Sequence, residues 1–539
     1  MSSVAEPPAA GSGRAPVAAA VVSATLATAV VLSGVTGTGQ RLVRDFVAVP
    51  EPAAPLSLLP TTASALRAWP LDAVSWVASG VVPTGVQQQL ILVAALALAG
   101  VGTGLLVRHA GAAAAAAAAW VAIWNPYVTE RLLLGHGPTL LGYACLPWIV
   151  IVVRSSLRTR QRHLLLVVVA IPASLTPWGG VVAAVTAVLA DLSRGDRTLA
   201  RSAAVAAVAS AWCLPWVLPA VLVGGVGADP DGPAAFALAD DSGLGTWFSA
   251  LMGGGVWAAG AQPLSRSDPV ALAASLGLLG CAVAAVLGLA VAATGPGEFS
   301  RRGAAVAGLA LLLLVGPATV AWWASGPGLE VMSALQQVPG VALFRDQHRM
   351  LAPGILALAV LVAVAVAWLA RHGGRTASAL GCVLVAALSV ASVPDLPSRM
   401  RADYRPVTYP ADWADAVRSL DAAPATPTVL SLPWQPLRLP GWAGEPPFLD
   451  PLPRAVSGTV LTSTALTVQR PAGSVVVDDA PVGEDWASGS VTAASLRRHG
   501  VTHVVEWLDT PGSLASRRDG WRLVHSGPSF TVWDVSGAQ

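Results

Sequence analysis

The chain has 539 residues, of which 54% are hydrophobic and only 12% are charged. Soluble globular proteins carry about 25% charged residues, so this composition excludes an ordinary soluble domain and indicates a protein embedded in lipid. The formal net charge is only +2, and the sequence has no basic cluster with interleaved aromatic residues, so no nucleic-acid partner is predicted.

Apolar runs long enough to cross a bilayer recur along the first 395 residues. A span needs about 20 apolar residues, and about eleven runs meet this criterion. Their centres lie near residues 26, 97, 118, 146, 168, 185, 211, 281, 313, 361 and 386. The first run, residues 16–35, is longer than the core of a cleaved signal peptide and is predicted to remain as a span. The short pair near 168 and 185 is separated by Pro172 and Pro177 and is compatible with a broken hairpin.

Arginine in the short loops sets the predicted orientation. If the N-terminus is cytoplasmic, every arginine cluster in these loops falls on the cytoplasmic side, as the positive-inside rule requires. The clusters are Arg108; Arg154, Arg158, Arg160 and Arg162; Arg194, Arg197 and Arg201; Arg301 and Arg302; Arg371 and Arg375. We therefore expect a multi-pass plasma-membrane protein in contact with membrane lipids. Its odd number of spans would leave the C-terminal part outside.

Four outer segments follow from this orientation, at residues 36–85, 130–136, 224–268 and 325–350. The third segment contains four aspartates but no spacing typical of a calcium-binding EF-hand. These aspartates are predicted to be solvated loop charges, and they are Asp229, Asp231, Asp240 and Asp241.

The composition changes near residue 394, where charged residues and prolines become more frequent and no further span is possible. Runs rich in valine and aromatic residues predict strands at 428–432, 474–477, 502–507 and 530–535. Residues 412–420 and 491–499 are predicted helices, the second with Ser490 as its cap. We expect residues 396–539 to form a small extracytoplasmic α/β or α+β domain, a normal domain size.

No cofactor is predicted. All four cysteines lie inside apolar runs and are interpreted as small core residues, so neither a disulfide framework nor a cysteine metal site is predicted. His136 lies between glycines, and no nearby His, Cys or Asp has the spacing of a metal-ligand set. A divalent cation is compatible with the outer acidic residues, but no ligand pattern supports one.

The first candidate site residues are Arg44 and Asp45, in the first outer segment. A carboxylate there is suited to act as a general base towards a sugar hydroxyl, provided that it lies within hydrogen-bond distance of the substrate. The alternative is an exposed loop ion pair of little energetic value.

The second candidate group is Glu130, Arg131 and His136. Ionisable residues at a bilayer boundary are costly and usually mark function. An arginine fork can bind phosphate, and a histidine can change its charge near neutral pH. The alternative is that Glu130 and Arg131 cap helix ends and that Arg131 extends to lipid headgroups.

A second dense charge cluster precedes the span near residue 361. It contains Arg345, Asp346, His348 and Arg349. The same residue types suit a lipid-phosphate or pyrophosphate site at the membrane surface. The alternative is an ordinary cluster of charges beside a span.

Taken together, this layout resembles the GT-C membrane glycosyltransferases. The resemblance lies in an acidic residue in a long first outer loop, a short charged second outer loop, paired short helices and a late outer domain. Asn125-Pro126, Glu130-Arg131, Gly135-His136 and Pro147-Trp148 form a pattern similar to that of actinobacterial multi-span proteins in this superfamily, both arabinofuranosyltransferase-like and YfhO-type. The Phe-Arg-Asp segment at 344–346 and the tail segments at 500–505 and 520–524 are similar to theirs as well.

The resemblance implies an all-α polytopic membrane domain at residues 1–395. Its GT-C-like core would cover about 16–225, with additional helices at about 269–395. It also implies a polyprenyl-phosphate sugar donor and an envelope glycan or lipid acceptor on the outer face of the membrane. By family position, Asp45 would be the catalytic carboxylate, with Glu51 as the alternative, and Glu130 would be the second acidic site.

The donor phosphate would be bound by Arg44, Arg131, His136, Arg345, His348 and Arg349. Asp45 is not part of an acidic pair, unlike the family pattern, so a non-catalytic envelope scaffold or a carrier of lipid-linked glycan is the main alternative. A channel or secondary transporter is the third, but its charges would lie at mid-membrane depth in two related halves.

Overall fold

The structure is a computed structural model. It describes residues 13–56, 59–60, 69–192, 198–223, 232–293, 308, 313–338, 341–470, 473–477 and 484–537. Within these ranges the first 403 residues are mostly helical, and a mixed β-sheet with short helices follows.

Seventeen helices lie in the described part of the first 403 residues. They are α1 (Arg14–Val31), α2 (Leu71–Ser79), α3 (Thr84–Leu106), α4 (Ala112–Ile123), α5 (Pro126–Leu133), α6 (Gly137–Arg154), α7 (Thr159–Ala170), α8 (Pro177–Leu192), α9 (Leu199–Ala211), α10 (Leu214–Val223), α11 (Gly232–Ala235), α12 (Thr246–Leu251), α13 (Pro269–Ala293), α14 (Leu313–Trp323), α15 (Gly326–Gln336), α16 (Ala352–Ser392) and α17 (Leu396–Asp403) among the described residues. Short 3-10 segments lie at Arg108–Ala110, Ile171–Leu175, Ala259–Ala261, Val341–Phe344 and Gln347–Leu351.

Five helices in the described part of the chain are long and apolar enough to cross a membrane. They are α1, α3, α6, the segment Pro269–Val291 of α13, and the continuous segment Gln347–Ser392. A sixth is added if α9 and α10, bent by 60°, form one span, and α8 and α14 are shorter apolar helices. A helix lies at each predicted centre, but length and composition do not establish eleven crossings.

Helix α16 reverses direction at Gly374, so its two arms correspond to the spans predicted near 361 and 386. Gly374 has a positive φ of 73°, and the Ser378 hydroxyl donates to the Val366 carbonyl oxygen over 3.3 Å. Residues 12 positions apart in a straight helix would be separated by about 18 Å. The first arm begins beside Tyr127, and the second ends with Ser389 donating to the Trp124 carbonyl oxygen.

Small residues allow α1, α3 and α4 to pack closely. A Cβ on Gly100 would lie 2.9 Å from the Ala24 side chain, and one on Gly104 would lie 2.5 Å from that of Ala20 and 2.9 Å from the Ala115 carbonyl oxygen. Backbones approach at this distance in membrane bundles where glycine and alanine line the interface. Helix α4, which contains the alanine-rich run, therefore lies in the interior of the bundle.

The C-terminal part contains a five-stranded mixed sheet. The strands of the whole region are β1 (Thr428–Leu432), β2 (Leu437–Arg438), β3 (Phe448–Leu449), β4 (Thr459–Leu461), β5 (Leu466–Arg470), β6 (Gly473–Val477), β7 (His503–Trp507), β8 (Arg522–Ser526) and β9 (Phe530–Asp534). The large sheet has the order β4-β1-β7-β9-β8. In it β1 is parallel to β4 and β7, and β9 is antiparallel to β7 and β8. The pairs β2–β3 and β5–β6 form two small antiparallel sheets.

Four short helices accompany these strands: α18 (Trp413–Asp421), α19 (Leu452–Ala455), α20 (Glu484–Ala487) and α21 (Ala493–Arg498). The predicted strands and helices of the tail are present in the described residues with small shifts of their ends. The cap of α21 was predicted wrongly: Thr492, and not Ser490, accepts from the Ser495 amide in a capping box.

The loop that contains Asp45 packs against this C-terminal region. The Arg44 amide donates to the Pro447 carbonyl oxygen over 3.1 Å, and the Leu449 amide donates to the Arg44 carbonyl oxygen over 2.8 Å. Tyr409 donates from its hydroxyl to the Ala48 carbonyl oxygen over 2.9 Å. These contacts fix the backbone on both sides of Asp45. The domain boundary near residue 395 stays a prediction.

Candidate active site

The segment after α4 forms a short helix, α5, at the centre of the site. Asn125 ends the extended link and caps α5, because its side-chain oxygen accepts from the Val128 amide over 2.9 Å. Pro126 occupies the first helical turn, where its missing N–H costs nothing. The predicted break at Asn125-Pro126 is thus the start of α5. This helix directs Glu130 and Arg131 into the protein, where both are fully buried.

Arg131 is the hub of the buried cluster. Its Nη1 donates to Asp346 Oδ2 over 2.6 Å and lies 3.1 Å from Nδ1 of His136. Its Nη2 lies 2.7 Å from Nδ1 of His348 and 3.5 Å from Asp346 Oδ1. The four terminal N–H groups are all directed at these partners. The alternative in which Arg131 extends to lipid headgroups is therefore wrong, and these N–H groups are not directed at a donor phosphate.

His136 connects the hub to Asp45. Its Nε2 lies 3.0 Å from Asp45 Oδ2, and the Asp45 side chain is 54% exposed while that of His136 is only 7% exposed. Burial and the nearby positive charge of Arg349 lower the pKa of His136, although Asp45 opposes this, so the ring is neutral at pH 7. Burial acts to raise the pKa of Asp45, but the hydrogen bond and charge of His136, together with the charges of Arg349 and Arg454, outweigh it, so the net shift is downward.

A glycine allows the Asp45 loop to reach His136. Gly135 has a φ of +75°, and a Cβ there would lie 2.2 Å from the Val43 carbonyl oxygen and 2.7 Å from the Phe46 amide nitrogen. A side chain at this position would collide with the backbone on both sides of Asp45. Arg44 itself has a positive φ of 49°, an uncommon conformation for a residue with a side chain.

Asp346 forms ion pairs with two arginines. Its Oδ2 accepts from Arg131 and also from Nε of Arg349 over 3.0 Å, and the carboxylate is buried. Burial acts to raise the pKa of Asp346, but the charges of Arg131 and Arg349 outweigh this and hold it far below its ordinary value. Asp346 is therefore a buried anion that compensates both guanidinium groups.

Glu130 lies on the opposite side of the hub from Asp45. Its carboxyl group accepts from the Gly255 and Val256 amides over 3.2 and 2.9 Å, and its Oε2 lies 3.0 Å from Nε2 of His348. Burial and the neighbouring Asp241 raise the pKa of Glu130 well above its ordinary value. Because Arg266 donates directly to Asp241 over 2.7 Å, we assign the negative charge to Asp241 and the proton to Glu130.

Arg349 is the most accessible cation of the cluster. Its side chain is 18% exposed, and it borders a small recess. The recess is also lined by Tyr127, Thr139, Tyr143 and Trp178. Arg349 is therefore the cation of this cluster that faces a recess with aromatic walls.

Two predicted phosphate-binding residues lie at the edge of this arrangement. Arg44 donates from Nε to the Leu133 carbonyl oxygen over 3.1 Å. Arg345 lies over the Phe236 ring, 4.5 Å from its centroid, in a second recess that Gln347 also lines. The described contacts therefore connect six of the eight candidates in one network: Asp45, Glu130, Arg131, His136, His348 and Arg349. Their catalytic and binding roles stay predictions.

Asp241 is a correction to the sequence analysis. It was predicted to be a solvated loop charge, but it is buried and paired with Arg266 beside Glu130. Its neighbour Asp240 instead accepts from the amides of residues 242, 243 and 245 in the same loop. The sequence contains no local signal that separates the two, because Arg266 and Glu130 come from other segments. In the ranges that the structure describes, no group of three potential metal ligands occurs.

The fold matches solved structures. Arabinofuranosyltransferase AftD from Mycobacteria matches over 96% of this chain with a TM-score of 0.60 and 13% identity, and the match covers 40% of that chain. A point-mutant form of AftD matches over 96% of this chain and 41% of its own, with a TM-score of 0.54 and 16% identity. An oligosaccharyltransferase from Archaeoglobus fulgidus matches over 96% of this chain and 73% of its own, with 13% identity and a TM-score of only 0.40.

This chain therefore spans about two fifths of the length of the AftD chains. Neither a family model nor a curated protein sequence matches it. Sequence identity as low as 13–16% shows the fold alone and does not establish the activity. The predicted resemblance is confirmed at the level of the fold: this chain has the fold of the AftD structures.

Proposed function

We propose that the chain is, or is part of, a membrane glycosyltransferase. It would transfer a sugar from a polyprenyl-phosphate donor to an envelope glycan or lipid acceptor on the outer face of the plasma membrane. The observation that carries the proposal is the half-exposed Asp45 carboxylate, bonded to His136 at the edge of a buried arginine-histidine cluster. The AftD structures, which have this fold and are arabinofuranosyltransferases, support the same reaction class.

In the proposed reaction Asp45 takes the proton of the acceptor hydroxyl. The acceptor oxygen bonds to the anomeric carbon of the sugar while the bond from that carbon to the phosphate oxygen breaks. The leaving polyprenyl phosphate keeps the electron pair, and Arg349 stabilises its growing charge at the recess. No cofactor is needed for this balance.

Glu130 is assigned a supporting role in this scheme. It is fully buried and bonded to the backbone at 255 and 256, so substrate contact would require these contacts to open. The C-terminal sheet region, which holds the Asp45 loop through Arg44, would bind the acceptor glycan. The predicted orientation, with a cytoplasmic N-terminus, belongs to this proposal as well.

A second candidate function is a non-catalytic envelope scaffold or a carrier of lipid-linked glycan. One observation favours it. Of the two candidate acids, only Asp45 is accessible, because Glu130 is buried. A catalytic centre with one usable carboxylate lacks the acidic pair that the family pattern leads us to expect.

The test uses the full chain in lipid nanodiscs. Radiolabelled polyprenyl-phosphate sugars, including polyprenyl-phosphate arabinofuranose, are offered with synthetic arabinan and other envelope-type oligosaccharides. We expect transfer from at least one donor, and a loss of about 10²- to 10⁴-fold in Asp45→Asn, the usual contribution of a general base.

Exposed Asp519 supplies the control, since Asp519→Asn should leave transfer unchanged. Equal transfer by the native chain and Asp45→Asn would contradict the mechanism. Loss in Glu51→Gln alone would move the base to Glu51. No transfer from any donor, with glycan or lipid-linked glycan still bound, would favour the scaffold or carrier.

A further inference from the structure

The contacts of Arg131 constrain the protonation of two histidines at once. Its Nη1 is directed at Nδ1 of His136 and its Nη2 at Nδ1 of His348. An arginine side chain is always protonated and only donates. Each Nδ1 must therefore accept, which requires that it carry no hydrogen. The single hydrogen of each neutral ring then lies on Nε2.

The free Nε2–H groups point at two carboxyl groups. Nε2 of His136 lies 3.0 Å from Asp45 Oδ2. Nε2 of His348 lies 3.0 Å from Glu130 Oε2 and 3.2 Å from the Gly254 carbonyl oxygen. One guanidinium group thus sets the donor direction of both rings.

We propose that Arg131 is a positioning residue that holds His136 and His348 as neutral Nε2–H tautomers, so that His136 orients Asp45 without neutralising it. The role in transfer rests on the proposed function, whereas the tautomers can be observed without it. Asp45 would stay a charged base with one oxygen fixed by a neutral donor.

The neutral state of His136 matters for the strength of the base. A protonated ring would place a second N–H against the Arg131 donor and would form an ion pair with Asp45. Such a pair stabilises the carboxylate and weakens its pull on an acceptor proton. The charged groups that act on His136 are Asp45, Arg131 and Arg349, and the two arginines both disfavour the imidazolium.

Arginine is needed for this geometry. Its planar fork presents separate N–H groups to His136, His348 and both oxygens of Asp346. A lysine carries the same charge on one nitrogen with three donors, and a single nitrogen has no fixed fork that spans all these acceptors. Arg131→Lys therefore keeps the charge and removes the two-histidine contact.

The direct test is nitrogen NMR of protein labelled in its histidine rings, in nanodiscs, between pH 5.5 and 8. His136→Gln and His348→Gln assign the two rings among the eight histidines. We expect both native rings to carry hydrogen on Nε2 alone across this range, and both to titrate or change tautomer in Arg131→Lys. A native His136 that carries hydrogen on Nδ1, or that titrates near pH 6.5, would overturn the proposal.

Arg438→Lys is the matched control. Arg438 is another fully buried arginine, paired with Asp450 in the C-terminal region, so its replacement tests the general cost of losing a buried fork. The two histidine spectra should not change in it, and a change there would count against a local role of Arg131. If Arg131→Lys does not fold, the native spectra alone decide.

Sugar transfer separates this inference from the proposed function. With transfer established, Arg131→Lys should lower kcat more than it raises KM and should move the acid limb of the pH profile to higher pH. A native chain that transfers no sugar but shows both Nε2–H rings would contradict the proposed function and support the tautomer assignment. Sugar transfer by a native chain whose His136 and His348 rings titrate would support the proposed function and contradict the tautomer assignment.

Discussion

His136 Nε2 lies 3.0 Å from Asp45 Oδ2, although 91 residues separate the two in the chain. The contact joins the loop between α1 and α2 to the turn between α5 and α6. On one side the loop is fixed by backbone bonds from Arg44 to the C-terminal region. On the other side the ring is fixed by Arg131. The accessible carboxylate is therefore held by three separate parts of the chain.

Acidification should destabilise the protein through His136. Its pKa is lowered in the folded state by burial and by Arg349, whereas an unfolded histidine titrates near ~6.5. The unfolded state binds more protons between these two pKa values, so the free energy of unfolding should fall as pH drops below about 6.5. Denaturant melts in detergent at pH 7.5 and 5.5 measure this fall. His136→Gln cannot bind the proton and should show a smaller fall; an identical pH dependence would contradict the assignment.

Loss of the Asp346 charge should be strongly destabilising. Asp346→Asn leaves Arg131 and Arg349 buried without their common anion, and breaking a buried pair on one side costs about 3–5 kcal/mol. The control is Asp415→Asn, which breaks an ion pair with Arg418 of the same i,i+3 spacing on the surface. Such exposed pairs contribute about 0–1 kcal/mol. Chemical unfolding of both variants measures the difference, and equal losses would show that the buried pair has no special value.

The sequence predicted the helical elements, and it identified ionisable residues that the structure places in one network, because both leave a local signal. A long apolar run requires a helix in lipid, and ionisable residues such as Glu130 and Arg131 are too costly there to be accidental. The number of crossings was less predictable, since α7 and α8 are short and α16 contains two arms that reverse at Gly374.

The pairing inside the site was not predictable from local patterns. Asp346 and His348 lie 215 and 217 residues from Arg131. Asp240 and Asp241 are neighbours in one loop, yet one caps that loop and the other is buried beside Glu130. Which of two adjacent acids enters the interior depends on tertiary partners, in this case Arg266.

Gly135→Ala should separate Asp45 from His136. The new Cβ would lie 2.2 Å from the Val43 carbonyl oxygen, and the position has a φ of +75°. Gly500→Ala is the control, because its φ is +63° but nothing lies within 4 Å of its Cβ. Both variants carry the left-handed strain of about 1–2 kcal/mol, and only Gly135→Ala adds a collision. We expect a lower Tm and a loss of sugar transfer beyond that of Gly500→Ala; equal effects would mean that the loop yields without cost.

Glu130→Gln should be tolerated if Glu130 is a buried neutral acid. Its pKa is raised by burial and by Asp241. A raised pKa gives stability that is complete below the unfolded value, near ~4.3, and is lost as pH rises through the folded value. Glutamine stays neutral, so the variant should gain stability relative to the native chain as pH rises, in denaturant melts across this range. Transfer should fall by less than about 10-fold, since one amide oxygen can keep the contacts with His348 and the Val256 amide. A variant that loses stability relative to the native chain as pH rises would show that Glu130 is ionised. Abolished sugar transfer would show that Glu130 takes part directly in catalysis.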